Sequence, residues 1–143
     1  MSDLLAKAIN IAIEAHKGHA DYSGVPYLVH VMNVMRAGRT EAEKIVGVLH
    51  DVVEDTDWTF EALLEEGFPA EIVDALRCVT KLSDDEPYDD FIERVKTNDL
   101  ARAVKINDLT DNMDVRRETE LNDYVVNRLR KYLKAYRSLT CID

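Results

Sequence analysis

Ile45-Val46-Gly47-Val48-Leu49-His50-Asp51-Val52-Val53-Glu54-Asp55 runs from the most apolar segment of the chain into one imidazole and three carboxylates. Thr40 and Glu43 ahead of it form a capping box, so a helix is expected from 41 to about 54. The unbroken apolar run Ile45–Leu49 suits a central helix buried on most sides. On such a helix His50 and Glu54 are four residues apart, as are Asp51 and Asp55, so all four crowd one edge. Three carboxylates there raise one another's pKa, and the negative helix C-terminus adds to the conflict. A bound cation removes it. The adjacent His-Asp pair offers one nitrogen and one oxygen ligand, which suits manganese, iron, zinc or a similar divalent metal. The alternative is a capped helix end with solvated acids and a packing histidine.

Outward from this segment the pattern stays helical. Residues 3–17 place Leu5, Ala8, Ile9, Ala12 and Ile13 on one stripe behind Ser2 as N-cap, and residues 27–38 follow a Gly/Pro loop at 18–26. Thr59 caps a short helix ending at Gly67, and Pro69 opens another that runs to about Thr80. After an acidic, solvated loop at Ser83–Glu86, helices are expected near 88–97, over 99–113, and from Leu121 to Leu139. No segment alternates with period two for long enough to be a strand. The expected architecture is one all-α domain over residues 1–143.

The composition sets limits on function. The 143 residues are 46% apolar and 32% charged, with a net charge of −10, which excludes a general nucleic-acid binder because that needs a basic face. The apolar runs fall far short of the roughly 20 residues that span a bilayer, and Asp3, Lys7, Asn10 and Glu14 interrupt the N-terminus as a signal peptide would not allow. Cys78 and Cys141 have no metal-site spacing and read as reduced thiols. A soluble, cytoplasmic chain with no membrane or nucleic-acid partner is the expectation. Residues 116–137 hold seven Lys/Arg against three Asp/Glu. They form either a solvated, ion-paired face or an electropositive wall facing a pocket. Tyr124, Tyr132 and Tyr136 share a stripe of the last helix and are expected to be core or oligomer contacts.

Two further positions bear on the acidic cluster. His30 follows the Gly/Pro loop among apolar neighbours. Asp108 interrupts the apolar pattern of Val104, Ile106 and Leu109, with Asn112 one turn on and Lys105 available as an ion-pair partner. A buried Asp needs such a partner. His30, His50, Asp51 and Asp108 together would make a four-ligand metal site that leaves room for water or substrate.

In order and spacing the chain resembles the HD-domain metal-dependent phosphohydrolases, specifically the hydrolase domain of the RelA/SpoT family and its small stand-alone alarmone hydrolases. The resemblance rests on Ala15-His16-Lys17-Gly18, on Ser23-Gly24-Val25-Pro26-Tyr27 with His30, and on Leu49 through Thr56. It continues with Val79-Thr80-Lys81 and with Val104-Lys105-Ile106-Asn107-Asp108 followed by Asn112. It implies an HD-domain helical bundle with His30, His50, Asp51 and Asp108 as metal ligands, usually for Mn²⁺. It further implies Glu54 and Asp55 as the acids that position and deprotonate the attacking water, and Ser23, Lys105 and Asn112 as nucleotide-pocket residues. The implied reaction removes the 3′-pyrophosphate of guanosine tetra- or pentaphosphate, (p)ppGpp. Another phosphorylated nucleotide or metabolite as substrate, or nucleotide sensing without catalysis, are the alternatives. The chain departs from the family at Asp21-Tyr22, where a basic pair is usual, at Leu109 and at Val31. Tyr22 could stack on a base, whereas Asp21 would repel a phosphate. No Gly-rich phosphate cradle is present, and the chain ends where the large members continue into a synthetase domain, so synthesis of the alarmone is not expected.

Overall fold

A computed structural model describes residues 2–140. Its helices are α1 (Asp3–Ala15), α2 (Tyr27–Ala37), α3 (Glu41–Leu49), α4 (Val52–Asp55), α5 (Phe60–Glu65), α6 (Ala70–Val79), α7 (Tyr88–Val95), α8 (Asp99–Asn112) and α9 (Asp123–Thr140). A 3-10 turn at Val115–Arg117 and one isolated antiparallel bridge, Ala20 to Pro26, complete the described structure. The all-α expectation holds, and no helix is long and apolar enough to cross a membrane among the described residues.

Side-chain caps set several helix starts. Ser2, Thr40, Thr59 and Asn98 accept from backbone N–H groups of the first turns of α1, α3, α5 and α8. At α3 the Glu43 carboxylate accepts from the N–H of Arg39, one residue ahead of the reciprocal bond a capping box makes. The last helix starts later than its apolar pattern suggests, because Asn122 accepts from Val125 N–H and leaves Leu121 outside. Leu121, Tyr124 and Leu133 are exposed, as is Ile13 on α1. The buried face of α9 is Val125, Ala135 and Leu139 instead.

All of Ile45–Leu49 is buried, and α3 packs against α1, α2, α6 and α8. Gly47 lets α2 and α3 approach closely, since a Cβ there would lie 3.3 Å from both Met35 Cα and Val34 O. Gly47→Val is expected to cost about 1–3 kcal/mol through overpacking. A urea-unfolding midpoint equal to wild type would show that α2 can withdraw at no cost.

One expectation fails here. The helix from 41 does not continue to 54; α3 ends at Leu49, His50 is its C-cap and Asp51 has φ −109° and ψ 1° before α4 begins. The backbone therefore turns at the two residues most concerned with the site. Cys78 packs half-buried against the core, and Cys141 lies outside the described residues.

Candidate active site

Three elements bring His30, His50, Asp51 and Asp108 together. His30 lies in the first turns of α2, His50-Asp51 at the α3–α4 junction, and Asp108 on the buried face of α8. Ligand atoms of His30, His50 and Asp51 lie within 4.8 Å of one another. His30 Nε2 is 2.9 Å from Asp108 Oδ1, and His50 Nε2 is 3.2 Å from the same oxygen and 3.0 Å from Asp51 Oδ2. The break after Leu49 turns Asp51 toward the histidines, so crowding on one helix edge is not what assembles the cluster.

The other nitrogen of each histidine fixes its orientation. His50 Nδ1 is 2.6 Å from the Gly47 carbonyl, which only accepts, so Nδ1 carries the proton and Nε2 of the neutral ring is a lone pair. That lone pair is buried, faces two carboxylates, and makes no well-directed hydrogen bond. Such an arrangement is repulsive unless positive charge, either a proton on Nε2 or a metal ion, lies between the groups. His30 Nδ1 is 2.6 Å from Asp111 Oδ2, which in turn is held by Arg117 at 2.8 Å, while Asn33 donates to Asp111 Oδ1. Residues that orient the ligands of a metal in this way are part of a metal site's construction.

The titration of these groups agrees with a site built for a cation. Burial lowers the pKa of both histidines, but hydrogen bonds to Asp108 and Asp111 outweigh it at His30, and the Asp51 and Asp108 charges outweigh it at His50, so both end raised. Burial alone would push Asp108 up; Lys105 and His50 hold it well below the usual carboxylate range. Burial likewise opposes ionisation of Asp51, which His50 nevertheless holds down at about 2. Tyr27, raised far above its usual range by burial and by the Asp51 charge, stays protonated and donates its hydroxyl to Asp51 Oδ2. The histidine and aspartate donors suit a borderline divalent ion, which can take the place of the Nε2 proton as the positive charge between the carboxylates.

Glu54 and Asp55, on α4, sit beside this cluster and are open to solvent. Surrounding protein still removes enough water to raise the pKa of both, with the Asp51 charge adding to it. Asp55 reaches about 6, Glu54 contributing as well. Glu54 Oε1 accepts from Lys81 N–H at 3.2 Å. A carboxylate raised as far as Asp55 can take up a proton near neutral pH.

A cleft opens over these groups in two joined parts that share Tyr27, Asn112 and Tyr132. The outer part, about 440 Å³, is walled by Tyr22, Ser23, Arg117, Glu118, Tyr124 and Arg128. The inner part, about 230 Å³, reaches Asp51, Glu54, Lys105 and Asp108. Ser23 is thus in the outer part, its hydroxyl donating to Glu118 Oε2 at 3.1 Å. Lys105 and Asn112 line the inner part and both donate to Asp108, at 2.7 and 3.2 Å.

Several placements differ from the sequence reading. Asp21 faces its own loop: Oδ1 accepts from Ser23 and Val25 N–H, both at 2.9 Å, and Oδ2 is 3.9 Å from Arg117. Tyr124 is not a core residue; it stacks on Tyr22 with centroids 4.6 Å apart at the cleft mouth, and Arg128 lies near both rings. Tyr132 also lines the cleft, and only Tyr136 of the three packs purely against the core. The basic stretch divides as well: Arg117 and Arg128 face the cleft, while Lys134 pairs with Asp89 outside it. In the acidic loop Glu86 is held by Arg94 and the Leu82 N–H rather than simply solvated. Asp111 and Glu118 were not anticipated. The spacing of Asp111 three residues after Asp108, on the same helix face, was the available signal; nothing local pointed to Glu118.

No protein-family model matches the chain. A guanosine-3′,5′-bis(diphosphate) 3′-pyrophosphohydrolase of Haemophilus influenzae is 34% identical over 116 residues, 72% of this chain and 17% of that protein. One from Danio rerio is 38% identical over 85 residues, 54% of this chain and 47% of that protein. The chain is similar to these hydrolases. It is also 39% identical over 85 residues to a GTP pyrophosphokinase of Myxococcus xanthus, covering 57% of this chain and 11% of that protein. In each case the chain spans less than half the length of its relative.

Proposed function

We propose that the chain is a metal-dependent phosphohydrolase that removes the 3′-pyrophosphate of (p)ppGpp, yielding GDP or GTP and pyrophosphate. The observation that carries this reading is the buried His50 Nε2 facing Asp51 and Asp108 under a cleft that Glu54 lines, with Asp55 next to Glu54 on α4 and both acids raised in pKa. Its similarity to proteins named for that reaction supports the choice of substrate. The pyrophosphokinase name belongs to a protein of which the chain matches about a tenth.

In this reading His30, His50, Asp51 and Asp108 hold a divalent ion, taken as Mn²⁺. When bound, the ion draws charge from a phosphoryl oxygen and acidifies a water molecule. Glu54 and Asp55 take the proton as the water oxygen joins phosphorus. The bond from phosphorus to the ribose 3′ oxygen breaks, and that oxygen leaves with the proton that the acids took from the water. Tyr27 steadies Asp51 by its hydroxyl, while Lys105 and Asn112 steady Asp108 at the same time as they face the substrate. Ser23 contacts the nucleoside end.

The phenol and carboxylate at Tyr22 and Asp21, in place of a basic pair, favour a second reading in which the same chemistry acts on another phosphorylated nucleotide or metabolite. The deciding experiment determines the metal in the purified protein and screens nucleotides with Mn²⁺ for released phosphate and pyrophosphate. Pyrophosphate from guanosine tetraphosphate is expected. Turnover only of other compounds would select the second reading, and tight nucleotide binding without turnover by metal-loaded protein would overturn catalysis.

A further inference from the structure

The inner part of the cleft gathers three ammonium groups from separate elements: Lys81 after α6, Lys105 on α8 and Lys131 on α9. Lys105 is paired with Asp108. Lys81 and Lys131 have no carboxylate within 4.0 Å among the described residues, although the protein carries 28 Asp and Glu. Lys131 Nζ lies 4.7 Å from the Tyr88 ring centroid and 5.3 Å from that of Tyr132, so two aromatic faces hold its charge at the cleft wall. The Tyr88 hydroxyl, in the same wall, is buried and has no hydrogen-bond partner among the described residues.

These features share one deficiency. A buried hydroxyl without a partner costs free energy, and so does bringing like charges together. Burial, followed by the charges of Lys81, Arg128 and Lys105, lowers the pKa of Lys131. An anion with several acceptor oxygens relieves both costs at once, because each ammonium and the phenol can donate to it. The carboxylates of Asp51, Glu54 and Asp108 line the same space, and they belong to the end where the divalent ion is proposed. A polyvalent phosphoanion can therefore lie between that ion and the lysines.

We propose that Lys131, Lys81 and the Tyr88 hydroxyl form a phosphoanion subsite that holds the pyrophosphoryl group of the substrate and, after cleavage, the pyrophosphate product. The proposal rests on the phosphohydrolase reading. It assigns to α9 and the start of α7 a charge-neutralising role that the loop at Asp21-Tyr22 lacks the cations to perform.

The test is calorimetric titration of inorganic pyrophosphate into Mn²⁺-loaded protein at matched free Mn²⁺, for wild type, Lys131→Met and Tyr88→Phe. Lys131→Met keeps most of the stem of an exposed residue without an ion pair, and Tyr88→Phe keeps the ring. About tenfold weaker binding is expected for Lys131→Met and severalfold weaker for Tyr88→Phe, with Mn²⁺ content and unfolding midpoint unchanged. Wild-type binding in both variants, or no pyrophosphate binding by metal-loaded wild type, would overturn the subsite. The readout does not depend on turnover. A protein that hydrolyses no nucleotide yet loses pyrophosphate affinity in Lys131→Met would retain the subsite and refute the hydrolase reading alone.

Discussion

Asp51→Ala is expected to lose its divalent ion, and turnover with it. Asp51 supplies one of the two carboxylate oxygens facing His50 Nε2 and is the acceptor for the Tyr27 hydroxyl. Losing a residue that merely orients a ligand weakens metal binding about 10–100-fold, so losing a ligand should exceed about 100-fold. The core beneath is apolar and independent of this carboxylate, with Val48, Leu49 and Val52 all buried, so the variant should fold. Metal analysis after dialysis against a weak chelator, together with pyrophosphate release, reads both effects. Full metal content with wild-type turnover would remove Asp51 from the ligand set.

Glu54→Gln should separate chemistry from binding. Its amide oxygen can still accept from Lys81 N–H, as the carboxylate does at 3.2 Å, so local structure and metal content should persist. What disappears is a base, and a positioned base contributes about 10²–10⁴-fold to rate. The expected result is a fall of that order in kcat with little change in KM. Since desolvation, Asp51 and Glu54 raise Asp55 to about 6, its carboxylate accepts a proton only above that pH. Glu54→Gln removes one of those contributions, so the activity left in the variant should decline as pH falls below about 6. Unchanged kcat would show that Glu54 takes no proton, and a residual rate independent of pH between 5 and 7 would remove Asp55.

The two predictions differ in how far the sequence supported them. The residue types are visible in Leu49 through Asp55, but their geometry is not. A continuous helix would place His50 above Glu54 and Asp51 above Asp55; the turn at His50-Asp51 instead sends Asp51 toward His30 and Asp108. Local propensity carries no sign of that turn, because Val52 follows with helix-compatible apolar character and is buried like the residues before it. The apolar stripe of α9 misled for a related reason. Tyr124 satisfies helical spacing, yet its ring is exposed at the cleft mouth and stacks on Tyr22, 102 positions away in the chain.

The sequence by itself determined the helical class, most helix starts and the identity of the four candidate ligands. Those depend on caps, on apolar periodicity and on residue chemistry, which act over one or two turns. Only the tertiary structure decided which atoms face each other. Gly47 at the α2–α3 contact sets how near His30 comes to His50, and its carbonyl selects the His50 tautomer. Asp111 and Arg117 orient His30 from the far end of α8, and Lys131 reaches Tyr88 from α9. These are contacts between residues distant in sequence, held by packing of a shared core, and no local pattern encodes them.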